Sequence, residues 1–94
     1  MNMPNEVVGL QEFLVEVGVE KALLEHWLEK EWIAPQRSAT GIVLTRLDLS
    51  RALLVRDLTL DMEVNDAGVD IVLQLLEQVH GLRRLLLAVD GRPG

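Results

Sequence analysis

The chain of 94 residues contains no cysteine and no tyrosine, and aromatic residues make up only 3% of it. The absence of cysteine excludes disulfides, thiolate metal sites and a cysteine nucleophile. Long hydrophobic runs are absent too. The longest stretch without a charged residue is residues 38–45, far short of the roughly 20 apolar residues that a membrane-spanning helix needs. We therefore expect neither a disulfide scaffold nor a membrane protein.

Basic residues are scarce, with 9 lysines and arginines against 15 acidic residues and a net charge of −6. That sign is unfavourable for binding nucleic acid, whose phosphates attract cations. Residues 1–6 lack the basic start and apolar stretch of a signal peptide, so we expect a cytoplasmic protein. Hydrophobic residues, by contrast, make up 49% of the chain. A domain of this size is expected to leave some apolar surface for a partner or a second copy.

We expect a single domain over residues 1–94, with a winged helix-turn-helix in residues 7–60. Apolar residues at helical spacing predict a first short helix that ends at Gly18. A second helix is predicted over residues 20–31, and Pro35 is expected to end it because proline cannot continue the hydrogen-bond ladder. Two short helices joined by a glycine-containing turn indicate a helix-turn-helix.

A small hairpin is predicted next, with strands over residues 33–36 and 42–44 and a polar loop at residues 37–41. Thr45 and Asp48 have the spacing of a capping box that opens a third helix over about residues 46–60. Asn65 or Asp66 then caps a long C-terminal helix over residues 65–89. The predicted fold is therefore mainly α, with a small β-hairpin as its wing.

The long C-terminal helix carries apolar residues at alternating three- and four-residue steps, as the a and d positions of a coiled coil do. These residues are Val72, Leu75, Val79, Leu82, Leu86 and Val89. We predict that they form the interface of a homodimer. The alternative is that the stripe packs on the protein's own helices, since Ile71, Leu76 and Leu85 widen the apolar face. Gly81 weakens the helix by about 1 kcal/mol relative to alanine, so we expect a bend or a close contact there.

The order helix, turn, helix, wing hairpin, third helix and long final helix resembles that of the MerR-like winged helix-turn-helix proteins. Within that superfamily the chain is similar to the CbpM-type chaperone modulators. The resemblance covers nearly the whole chain from Leu10 onward. The segments that carry it are residues 23–33, 48–52, 54–58, 64–69, 72–73, 75–76 and 82–85.

The resemblance implies a chaperone modulator that binds the J-domain of a DnaJ-like co-chaperone and inhibits its stimulation of Hsp70. J-domains generally present a basic helix to Hsp70, so a competitor for that face is expected to be acidic. The candidate contact residues are Glu25 and Glu29 on the second helix, and Asp61, Glu63, Asp66 and Asp70 around the start of the fourth. Solvation explains such acids without a partner, as does capping for Asp66.

Direct DNA binding is the alternative function that the fold suggests. The chain departs from that pattern because residues 20–31, the would-be recognition helix, carry four glutamates against two lysines. The cations available for a DNA backbone lie in the middle of the chain: Arg37, Arg46, Arg51 and Arg56. Such arginines are more often surface charges or partners of Asp48 and Asp57.

Catalysis has little support in the sequence. His26 and His80 lie far apart with no HExxH spacing, and phosphate-binding and nucleophile motifs are absent, so we expect no enzyme, metal or cofactor. Trp27 and Trp32 are expected in the core, whereas a half-exposed tryptophan would be an anchor for a partner.

Overall fold

The computed structural model describes residues 5–90, apart from the side chains of Val89 and Asp90. Within that range the chain forms four α-helices, a two-stranded hairpin and one π-helical turn. The elements are α1 (Leu10–Val17), α2 (Lys21–Glu29), β1 (Gln36–Ser38), β2 (Gly41–Val43), α3 (Arg46–Arg56), the π turn (Asp57–Asp61) and α4 (Asp66–Asp90). The chain divides into two compact units between Glu63 and Val64. The predicted winged helix-turn-helix and long C-terminal helix are confirmed.

Helix α1 ends as its sequence predicts. Gly18 has φ +75°, a left-handed conformation that glycine adopts without the steric cost of a Cβ, and its N–H donates to the Leu14 carbonyl at 2.8 Å. The neighbouring Val19 N–H donates to the same oxygen at 3.3 Å. Phe13 and Val17 are fully buried, so this short helix contributes its apolar stripe to the core.

Helix α2 ends at Glu29, before the predicted boundary at residue 31 and well before Pro35. Glu31 adopts a left-handed conformation with φ +59°, and the Trp32 N–H donates to the Trp27 carbonyl at 3.1 Å. This hydrogen bond caps the helix, so the prediction that Pro35 ends it is wrong. Glutamate gives no signal for a left-handed cap, because glycine and asparagine usually occupy such positions.

The hairpin is tighter than predicted. Strands β1 and β2 pair antiparallel, with Ser38 opposite Gly41, so only two residues form the connection. The Ser38 hydroxyl accepts from the Thr40 N–H at 3.3 Å and donates to the Gly41 carbonyl at 3.1 Å. These side-chain bonds close the turn, and the polar residues Gln36, Arg37 and Ser38 form β1. The predicted loop at residues 37–41 and first strand at residues 33–36 are therefore wrong.

Helix α3 begins with the predicted capping box. The Asp48 N–H donates to the Thr45 hydroxyl at 3.4 Å, and the Thr45 N–H donates to the Asp48 carboxylate at 2.9 Å. The helix continues into the π turn, where the Thr59 hydroxyl donates to the Val55 carbonyl at 2.8 Å. The predicted helix over residues 46–60 is confirmed in extent, whereas its π-helical end has no signal in the sequence.

The core of the first unit draws on its helices, the π turn and the residues that join the elements, whereas β1 and β2 contribute no buried side chain. Its members are Val8, Phe13, Val17, Leu24, Trp27, Trp32, Ile33, Leu44, Leu49, Ala52, Val55 and Leu58. Both tryptophans are buried, which confirms their predicted role in the core and leaves neither as a partner anchor. A short N-terminal segment forms an isolated β-bridge between Val7 and Thr45, beyond the end of β2, and the Val8 N–H donates to the Leu44 carbonyl at 2.8 Å.

Helix α4 is capped by Asn65, whose side-chain oxygen accepts from the Gly68 N–H at 2.8 Å. A Cβ at Gly68 would lie 2.6 Å from a methyl carbon of Val64, so this glycine allows a close approach. A Cβ at Gly81 would meet nothing within 4 Å. The close contact expected at Gly81 is therefore absent among the described residues.

No helix within residues 5–90 has the length and apolar character needed to cross a bilayer.

Candidate partner-binding surfaces

The acidic face of α2 consists of Glu25 and Glu29, which are both exposed. They lie one helical turn apart, while the buried side of the same helix presents Leu24 and Trp27 to the core. Two like charges at this spacing repel each other, and a cation placed between them would be attracted to both carboxylates. Glu25 and Glu29 therefore present negative charge to solvent, and their contact with a partner stays a prediction.

The second predicted group of acids is divided between the two compact units. Asp61 ends the π turn and Glu63 follows it with a left-handed φ of +54°, both exposed in the first unit. Asp66 and Asp70 belong to the second unit, at the start of α4, and are also exposed. Asn65, not Asp66, provides the cap of that helix. The contact roles of these four acids stay a prediction.

Arg46 lies among three glutamates of the same unit. Its side chain donates to Glu6 at 3.0 Å and lies 3.8 Å from Glu12 and 3.6 Å from Glu16. The hydrogen bond to Glu6, together with the charges of Glu16, Glu6 and Glu12, raises the pKa of Arg46 despite some desolvation. The backbone N–H of Arg46 also donates to the Glu6 carbonyl at 2.9 Å. Arg46 therefore attaches the N-terminal segment and α1 to α3.

The other two arginines of α3 are likewise engaged within the fold. Arg51 donates to the Trp32 carbonyl at 3.0 Å, and Arg56 donates to the Val17 carbonyl at 3.1 Å. Arg56 also pairs with Asp57 at 3.1 Å, as the sequence suggested. The expected pairing with Asp48 is wrong, because the carboxylate of Asp48 belongs to the capping box. All three cations of α3 therefore hold structural groups of this protein.

Helix α4 has two apolar faces. The inner face contains Val69 and Leu73, which are 0% and 5% exposed. The outer face contains Leu75, Val79 and Leu82, which are 50–57% exposed. At 3.6 residues per turn the centres of the two faces lie roughly 130° apart around the helix. The buried residues of α4 therefore lie on a different face from the predicted dimer interface.

The predicted dimer residues are thus mostly accessible. Val72 is half-buried, whereas Leu75, Val79, Leu82 and Leu86 are exposed; Ile71 and Leu85, on the flank of the outer face, are exposed as well. The side chain of Val89 lies outside the described residues. The homodimer interface and the alternative that this stripe packs on the protein's own helices both stay predictions.

The two histidines lie on exposed positions of α2 and α4. His26 makes an edge-to-face contact with Trp32, with ring centroids 6.0 Å apart. Across residues 5–90, histidine, aspartate and glutamate side chains do not converge in any group of three that could hold a metal ion.

The arrangement of α1, turn, α2, hairpin and α3, followed by a long helix, defines a winged helix-turn-helix protein. The family model for the MerR HTH family regulatory proteins matches residues 8–88, and the chain belongs to that family. No curated protein matches the chain.

Proposed function

We propose that this protein is a chaperone modulator that binds the J-domain of a DnaJ-like co-chaperone and inhibits its stimulation of Hsp70. The similarity to the CbpM-type proteins supports this partner. Exposed acids on α2, at the end of the π turn and at the start of α4 are three candidate sources of the negative charge that would attract a basic helix.

The observation that carries the proposal is that the arginines of α3 bind groups of this protein itself. Arg46, Arg51 and Arg56, the three cations of α3, donate to glutamates, backbone carbonyls and Asp57 of the same unit. Cations that release DNA counterions must instead face phosphate. Meanwhile α2, which a DNA reader would place in the major groove, exposes Glu25 and Glu29. The surface favours a cationic partner over an anionic one.

The proposed mechanism is competitive masking. Acidic side chains pair with the basic face of the J-domain and cover it, so that the same face is denied to Hsp70. Complementary charge accelerates the encounter at low salt, and screening slows it as salt rises. No chemical step is required of this protein, in keeping with a regulatory family that is in general not enzymatic.

We also propose that α4 joins two copies through its outer face. Leu75, Val79, Leu82 and Leu86 are half or more exposed and follow the a and d spacing of a coiled coil. Exposed apolar stripes of this length are typical of interaction sites in small proteins. A homodimer would present two J-domain surfaces.

The second candidate is a DNA-binding transcriptional regulator. The family description, a regulatory protein with a helix-turn-helix, favours it. Arg37, exposed on β1 of the wing, is the cation that such a function would use first.

Calorimetric titration separates the two functions. The protein is titrated with the J-domain of the host's DnaJ-like co-chaperone, and in parallel with random-sequence duplex DNA, at low and moderate salt. Micromolar or tighter binding of the J-domain that weakens with salt supports masking. Silence with the J-domain at both salts, together with salt-dependent binding of the duplex, refutes masking in favour of the regulator.

A further inference from the structure

A groove runs between the end of α2 and the hairpin, entirely within the first unit. Its volume is about 290 Å³, enough for one or two side chains of a partner. The apolar lining includes Leu28, Ile33, Pro35 and Ile42. We call it the helix–wing groove. None of these residues was singled out as a contact by the sequence, because each fits equally well into a core.

The depth of the groove has a simple structural origin. Ile33 is 1% exposed and forms its floor, whereas Ile42 is 39% exposed on the wing and Leu28 is half-buried on α2. The left-handed turn at Glu31 separates the helix from the hairpin. An apolar side chain placed between Leu28 and Ile42 would cover surface that now faces water.

Charges of both signs lie around the groove, and Lys21, one turn before Glu25, is an exposed cation on the same face of α2. Glu31 lines it, and Glu25 precedes Leu28 by three residues, so the carboxylate of Glu25 lies on the same side of α2 as the groove. Glu29 extends that acidic row by one turn. Arg37 is the cation among the lining residues and faces the groove from β1. A ligand that fills the groove and also reaches Glu25 and Glu29 therefore combines an apolar group with positive charges.

We propose that the helix–wing groove takes an apolar side chain from the basic helix of the J-domain, while Glu25 and Glu29 pair with cations of that same helix. This inference rests on the proposed function and names the surface that carries it. A helix fits because residues three or four positions apart share a face, so an apolar residue and cations one turn away reach the groove and the acidic row together. The acids at Asp61 and Glu63 are outside this surface.

The test compares variants of the full chain by calorimetry against the J-domain. Ile42→Thr removes apolar surface from the groove and keeps the β-branched shape that suits a strand. The control Val15→Thr makes the same kind of change on α1, where Val15 is 77% exposed. The double variant Glu25→Gln, Glu29→Gln removes the acidic row, and Asp61→Gln, Glu63→Gln removes the other candidate acids. Thermal unfolding of each variant verifies that it folds.

We expect Ile42→Thr to weaken binding by at least about fivefold, as for a contact residue in the centre of an interface, with an unchanged salt dependence. Glu25→Gln, Glu29→Gln is expected to weaken binding and flatten the salt dependence. Val15→Thr and Asp61→Gln, Glu63→Gln are expected to bind as the unaltered chain does.

Two results overturn the inference, and they are distinguishable. If Asp61→Gln, Glu63→Gln loses affinity while the groove variants bind normally, the J-domain binds elsewhere and the proposed function survives. If the unaltered chain does not bind the J-domain at all, both proposals fall. Should Ile42→Thr prove unfolded, a shift of the Ile42 and Leu28 methyl signals on titration with the J-domain replaces it, and unchanged signals would contradict the groove.

Discussion

The outer face of α4 allows the dimer proposal to be tested quantitatively. In Val79→Lys, Leu82→Lys, two side chains that are 50% and 57% exposed are replaced by cations. Fully burying such a residue stabilises by about 1.5–3 kcal/mol, so covering the exposed half of each contributes about 0.8–1.5 kcal/mol. Each substituted side chain occurs twice in a symmetric dimer, so four contributions are lost. The double variant is therefore expected to weaken self-association by about 3–6 kcal/mol, or two to four orders of magnitude in the dissociation constant.

Sedimentation equilibrium across a concentration series measures this effect directly. We expect a dimer for the unaltered chain and a monomer for Val79→Lys, Leu82→Lys at the same concentration. The matched control is Leu87→Lys, Ala88→Lys, which adds the same charge to the same exposed end of α4 outside the outer face. An unaltered dimer mass for Val79→Lys, Leu82→Lys, or loss of the dimer in the control alone, would refute the assignment of the interface.

Three further predictions concern stability and are checked by urea unfolding at 25 °C. Thr45→Ala removes the hydroxyl half of the capping box and is expected to lower the free energy of unfolding by about 1 kcal/mol. Gly81→Ala is expected to raise the free energy of unfolding by about 0.5–1 kcal/mol, because the new methyl meets nothing within 4 Å. Gly68→Ala is not expected to stabilise, because its new methyl would clash with Val64. Equal effects at the two glycines would contradict this reasoning. Phe13→Ala is expected to lower the free energy of unfolding by about 3–5 kcal/mol, since Phe13 is 0% exposed, and a loss below 1 kcal/mol would show that the site collapses freely.

The parts of the fold that follow from the sequence are those specified by neighbouring residues. Gly18 ends α1, and the pair Thr45 and Asp48 opens α3, because each cap is a contact across three or four positions. The end of α2 was misplaced because Glu31 takes a left-handed conformation that its side chain does not favour. The two residues after this turn, Trp32 and Ile33, are buried, so packing in the core, which local sequence does not reveal, favours the turn.

The candidate surfaces follow from the sequence only in part. The heptad spacing on α4 identifies an apolar stripe, but spacing alone cannot say which of two stripes is buried, and the chain buries Val69 and Leu73. The ion pair of Arg46 with Glu6 joins residues 40 positions apart, which no local pattern encodes. The helix–wing groove is a product of how α2 and the hairpin diverge, so its lining residues carry no shared motif.

The three arginines of α3 also bear on attempts to redesign this protein. Replacing Glu25 and Glu29 with neutral residues would remove repulsion towards DNA, yet it would release no cation for phosphate. Arg46 would still bind Glu6, and Arg56 would still hold the last turn of α1. Moving either arginine to the surface would loosen the attachment of α1 to α3. A variant of this chain designed to bind DNA would therefore need basic residues other than these three arginines.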